Sequence, residues 1–218
     1  MTHGTPAGSG LPDDVLTRGW ADRVTDVTGN GVSAAVTLAC GFWYEWSLAT
    51  GEQWFGFTIA DRKVTLFDEG TRVITVSTWD QCGRALAGLL SLPETSTAAE
   101  TPSLADFKNR TAHIHSFRVS QRDMLDSLHR VLGTADADWE ITRQSTAQRI
   151  RDGTAEMNAS DFRGFAKVLY ATVFAPGNET SDYVGVDNEV LGLPQEDLDE
   201  ATRRAVEMVE AGWQPFGN

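Results

Sequence analysis

Basic residues are scarce in this chain, cysteines scarcer still, and long apolar runs do not occur. Eighteen lysines and arginines stand against 31 aspartates and glutamates, a formal net charge of −13. A field of that sign opposes nucleic-acid phosphates and anionic membrane surfaces, so no nucleic-acid partner is expected. No stretch reaches about 18 uninterrupted apolar residues, the rough minimum for a bilayer-spanning helix, and no membrane partner is expected either. The two cysteines, Cys40 and Cys82, fall in a buried-strand pattern and in a helical one. That placement argues against a disulfide framework and for a reducing compartment. The opening MTHGTPAGSGLPDD has neither the basic start nor the apolar core of a signal peptide, and the expected location is cytoplasmic. Without a secretory signal, the sequons at Asn109, Asn158 and Asn178 are chance matches.

Several catalytic signatures are missing as well. No G-x-S-x-G elbow occurs, and Cys40 reads as a buried, apolar residue rather than a nucleophile. His113 and His115 share one face of a strand without a third ligand at a telling spacing, so they read as a structural or surface pair and no metal site is expected. The glycines Gly4, Gly8 and Gly10 follow no strand, so they form no phosphate-binding loop and belong to a mobile tail over residues 1–14. The acids Asp197, Asp199 and Glu200 read as a solvated helix face.

What remains is ample for a folded unit over residues 15–218, because 41% of the chain is hydrophobic. A weak helical pattern through Val15, Leu16, Trp20, Val24 and Val27 stops at Gly29-Asn30-Gly31. VSAAVTLAC, residues 32–40, is a nearly continuous apolar run rich in β-branched residues and suits a central parallel strand buried on both faces. Residues 51–70 read as an irregular or hairpin segment, and Arg72–Val76 as a short strand. Ser77 or Thr78 can cap a helix whose apolar face is Cys82, Leu86, Leu89 and Leu90. Thr111–Phe117 alternates as a strand. It is followed by a Ser120/Asp123 capping box, a stripe of Met124, Leu125, Leu128, Val131 and Leu132, and a stop at Gly133. Further expectations are a strand at Trp139–Thr142, a short helix from Ser145 to Ile150, a helix over 161–174, and a last helix opening on Pro194-Gln195-Glu196-Asp197. Alternating strands and helices give an α/β class.

The segment with chemistry to offer is Gly41-Phe42-Trp43-Tyr44-Glu45-Trp46-Ser47, a cluster of aromatics around one carboxylate just past a buried strand. Open α/β sheets place ligands there. The same aromatics would also serve as core anchors of a loop. Glu45 can be desolvated, which would raise its carboxyl pKa towards the range of acid–base work, or can be held in a structural hydrogen bond.

Four blocks, CGFWYEWSLA, RVITVSTWDQCGRALAGLLSLPE, SFRVSQRDMLDSLHRVLGTADADWEI and NEVLGLPQEDLDEATRRAVEMVEAGW, resemble the NmrA-like and isoflavone-reductase-like proteins, notably fungal members, among the atypical short-chain dehydrogenase/reductases. The resemblance spans about residues 31 to 213. It implies a partial Rossmann-type fold, the C-terminal part of the sheet with a smaller α+β substrate region. It also implies NAD or NADP as cofactor, a small-molecule ligand, and Gly41, Phe42, Trp43, Tyr44, Glu45 and Ser47 as cleft-lining candidates. Family members begin with a strand and glycine-rich loop, for which this chain shows no counterpart. Their reductases use a lysine in the helix before the strand equivalent to 32–40, whereas Lys63, Lys108 and Lys167 all follow it. No catalytic residue is assigned. The resemblance therefore implies either an NAD(P)-dependent oxidoreductase or a non-catalytic, ligand-sensing or truncated product. A sheet edge left open would call for a homodimer or a protein partner.

Overall fold

The computed structural model describes residues 24–29, 31–96, 101–178, 182 and 185–215. The expected tail, its glycines and the first part of the helix from Val15 lie outside the described residues. Residues 24–28 are helical, the Gly29 amide closes the turn on the Thr25 carbonyl at 2.7 Å, and Gly31 takes φ +69°.

The strands are β1 (Val36–Ala39), β2 (Phe42–Trp43), β3 (Phe57–Thr58), β4 (Lys63–Phe67), β5 (Ile74–Ser77), β6 (Arg110–His113), β7 (Phe117–Val119) and β8 (Glu140–Gln144). The helices are α1 (Tyr44–Ala49), α2 (Trp79–Ser91), α3 (Gln121–Leu132), α4 (Thr146–Asn158), α5 (Arg163–Phe174) and α6 (Leu198–Glu210). β1 pairs in parallel with β6, β2 in parallel with β5, and β5 in turn antiparallel with β7. The 51–70 segment is the expected hairpin: β3 turns into antiparallel β4, which also pairs in parallel with β8. Among the described residues no helix is long and apolar enough to cross a membrane.

Local chemistry explains several helix ends. Thr78 caps α2 by accepting from the Gln81 amide at 3.0 Å, Ser120 and Asp123 form a reciprocal box at the start of α3, and Gly133 at φ +65° ends α3. Met124, Leu125 and Leu128 are fully buried in the main core beside Tyr44, Phe55, Phe57 and Ile74. A smaller core gathers Ala85, Leu89, Phe107, Ala112 and Ile114.

Long-range packing changes several expectations. The strand at 32–40 is shorter than its apolar run and not buried on both faces: Val32 and Val36 are exposed and Leu38 packs only on the smaller core. β6 is its one strand neighbour among the described residues. The buried face of α2 is Gln81, Ala85 and Leu89, leaving Leu86 and Leu90 exposed, because Gln81 turns inward to donate to the Pro194 carbonyl at 2.9 Å. Thr111–Phe117 divides into β6 and β7, which join different sheets. The helix expected to end at Ile150 runs on to Asn158. The last helix begins at Leu198 rather than Pro194, since Glu196 is drawn away to bond other segments.

The segment before α6 has its own anchorage on β6. The Asp187 carboxylate accepts from the His113 amide at 2.9 Å and from Arg110 at 2.8 Å, while the Asp187 amide donates to the His113 carbonyl at 2.7 Å. Asn188 bonds both the amide and the carbonyl of His115 through its side chain.

Candidate functional site

At Gly41 the chain swings out of β1 with φ +65°, and a Cβ there would stand 2.2 Å from the Thr75 carbonyl oxygen. Only glycine allows that approach. β2 then runs alongside β5, with Phe42 opposite Val76 and Trp43 opposite Ser77. The carboxyl ends of these two parallel strands lead directly into α1 and α2.

The candidates of segment 41–47 go to different places. The Phe42 ring lies flat on Tyr170, with centroids 3.9 Å apart. Tyr44 is fully buried, its hydroxyl 2.7 Å from Thr202 Oγ1, and burial pushes its phenol pKa well up. Ser47 is buried and bonded to the Tyr170 hydroxyl at 2.7 Å. Trp43 is 48% exposed and stands edge-on to Trp46 and to Trp79.

Glu45 is the member of the segment that faces a pocket. This pocket, about 420 Å³, is lined by Glu45, Trp79, Asp80, Arg204, Met208 and Trp213 among others. It lies where the carboxyl end of β5 passes into α2, the position at which open α/β sheets hold ligands. The Glu45 side chain is 5% exposed, and its Oε1 accepts from Arg204 Nε at 3.1 Å and Nη2 at 2.9 Å. Its Oε2 is buried without a hydrogen-bond partner among the described residues. Burial raises the Glu45 pKa, and the bonds from its own amide, Arg204 and Trp79 oppose that rise.

The partners of Glu196, of Cys40 and of Asp199 were not visible in the sequence. Glu196, 11% exposed, accepts from Thr78 Oγ1 at 2.9 Å, from Arg84 at 3.1 Å and from the Ser116 hydroxyl. It thereby fixes the residue that caps α2 and places Trp79. Cys40, expected to be buried and inert, is half-buried: the neighbouring Cys82 thiol and Trp43 side chain bring its pKa down to about 7, against burial. The neighbouring Cys40 and burial push the Cys82 thiol strongly up. Asp199, expected on a solvated face, takes a two-point bond from Arg130 and one from Ser127.

The described residues do not fit a dinucleotide pyrophosphate. None of their helices opens on a G-x-G-x-x-G loop. α2 opens with the Glu45 and Asp80 carboxylates nearby, which repel phosphate, and the space beside Gly41 is filled by Thr75 backbone. No lysine lines the pocket.

No family model matches the chain. A curated relative from Aspergillus flavus, named oxidoreductase aprR, is 25% identical over 151 residues, 68% of this chain and 46% of its own length. Isoflavone reductase superposes with a TM-score of 0.59 at 14% identity, covering 85% of this chain and 56% of that one. An NADPH-dependent quinone oxidoreductase from Escherichia coli, solved with NADPH, gives 0.51 at 15% identity, covering 80% and 54%. The fold is Rossmann-type. The α/β architecture expected from the sequence is therefore the observed one, and the chain spans about half the length of the proteins it matches.

Proposed function

We propose that these residues form the substrate side of an NAD(P)-dependent oxidoreductase of the isoflavone-reductase and NmrA-like lineage, acting on a small organic molecule. The observation that carries this reading is the pocket at the carboxyl ends of β2 and β5, with buried Glu45 in its wall and Trp43 beside it. When bound, the nicotinamide cofactor would supply the hydride, and its phosphates would be held by residues other than those described. The chain's own part is to sort substrates by shape against Trp79, Met208 and Trp213 and by charge at Glu45 and Arg204.

A second reading, a ligand-sensing protein without turnover, is favoured by the lining itself, which offers no lysine for proton transfer. Titration calorimetry of the purified 218-residue protein with NADPH and NADH, alongside a light-scattering mass, separates the two. Micromolar dinucleotide binding supports the oxidoreductase. A folded protein that binds neither dinucleotide leaves the sensing reading.

A further inference from the structure

We propose that the pocket at the start of α2 binds an organic cation, a protonated or quaternary amine on a small apolar or aromatic body. That the bound cation is also the substrate rests on the substrate-side reading above; its binding needs no dinucleotide.

The walls are aromatic and steeply angled. Trp79 and Trp213 have ring centroids 6.2 Å apart and planes inclined at 67°. The two rings stand edge-to-face and both line the pocket, so a cation beside them meets the negative quadrupole of an indole face, and tryptophan is the strongest of the aromatic partners. Met208 adds a polarisable apolar surface that adapts to an alkyl or aryl body. The volume suits a compact ligand and little more.

The charges point the same way. Three carboxylates, Glu45, Asp80 and Glu207, line the pocket against one guanidinium, Arg204. Arg204 directs both Nε and Nη2 to Glu45 Oε1, so its charge is largely matched within that pair. The nearest cation to Asp80 is Arg84 at 3.8 Å, and Arg84 lies closer to Glu196, at 3.1 Å. The lining is thus left with an excess of negative charge. A net charge of −13 over the chain adds a long-range attraction for cations.

Glu45 supplies a separate indication. A buried carboxylate oxygen without a well-formed hydrogen bond is costly unless positive charge stands near it. Its field is weakly screened inside the protein, so it acts on a cation in the pocket without direct contact. A protonated amine or a quaternary ammonium would support that second oxygen, which has no bond from Arg204, and a neutral ligand of the same shape would not.

Calorimetry of the intact protein with benzyltrimethylammonium, benzyl alcohol and phenylmethanesulfonate tests this at low salt, with thermal melts confirming that each variant is folded. The cation is expected to bind about tenfold or more tighter than the neutral alcohol, consistent with cation–π and charge terms together, and the sulfonate not at all. Trp213→Leu and Glu207→Gln, both at accessible positions, should each weaken the cation several-fold while the melts stay unchanged. Equal affinity for cation and alcohol, preferred binding of the sulfonate through Arg204, or no binding by the folded protein would each overturn the proposal. Dinucleotide binding without cation binding would leave the oxidoreductase reading standing alone. Cation binding without dinucleotide binding would leave this site standing without it.

Discussion

Gly153 of α4 and Gly164 of α5 meet backbone to backbone. A Cβ on Gly164 would lie 2.2 Å from the Gly153 carbonyl oxygen, and one on Gly153 would lie 2.7 Å from that of Gly164. No rotamer relieves a contact with main chain. Alanine would gain up to about 1 kcal/mol of helix propensity, yet the helices would have to separate, at a cost of about 1–3 kcal/mol typical of overpacking. Gly164→Ala, the tighter position, should therefore lower the urea midpoint, and more than Gly153→Ala does. An unchanged or raised midpoint for Gly164→Ala would sink the idea.

The thiol pair gives a pH-dependent prediction. With its pKa brought down to about 7, Cys40 should react with iodoacetamide along a pH curve whose midpoint is near neutrality, and well before Cys82. Removing the main donor with Cys82→Ala should move that midpoint upward. Rates followed by mass spectrometry decide it: a midpoint at the ordinary thiol value, or faster modification of Cys82, contradicts the assignment.

Glu45 links charge to stability with a definite sign. Its folded-state pKa is raised, so across the window from the ordinary carboxyl value of 4.5 up to the raised one the folded protein holds the extra proton. Stability contributed by Glu45 is present below that window and is lost as pH rises through it. The stability of wild type relative to Glu45→Gln should fall as pH increases there. Urea midpoints of the two proteins between pH 4 and 8 measure it, and a difference that is flat or rises with pH would reject the assignment.

Glu196 should matter more than its irregular surroundings suggest. Glu196→Ala leaves Thr78, Ser116 and Arg84 without their shared acceptor, for an expected loss of about 1–3 kcal/mol. Because Thr78 caps α2, benzyltrimethylammonium affinity should fall too, through displacement of Trp79. A destabilised variant that binds the cation as tightly as wild type would show that Glu196 does not position Trp79.

The features legible in the sequence were those whose cause lies within a few residues. The Ser120/Asp123 box spans four residues, Gly133 needs only itself, and the hairpin over 51–70 shows in its glycines and aromatics. The Rossmann-type architecture was legible through separate blocks in a fixed order. Glu196 was read as one more acid near a helix start, because its partners Ser116 and Thr78 lie 80 and 118 residues away. The Glu45–Arg204 pair spans 159 residues, so desolvation of Glu45 was legible as an option while its partner was not. Gly153 carries no local signal that tells a packing glycine from any other helical glycine. Its role appears only with Gly164 opposite.

Asp187 and Asn188 give β6 and the residues just past it hydrogen bonds from an irregular segment, much of it through side chains. A neighbouring strand satisfies a backbone whatever its residue types, because main chain is common to all of them. Side chains carry no such indifference. Through natural drift, the exposed Val190 in the same segment is free to vary, whereas positions 187 and 188 can accept only residues that both reach and bond the His113 and His115 backbone. In homologous chains this stretch should therefore hold an acid and an amide at fixed spacing within otherwise variable sequence.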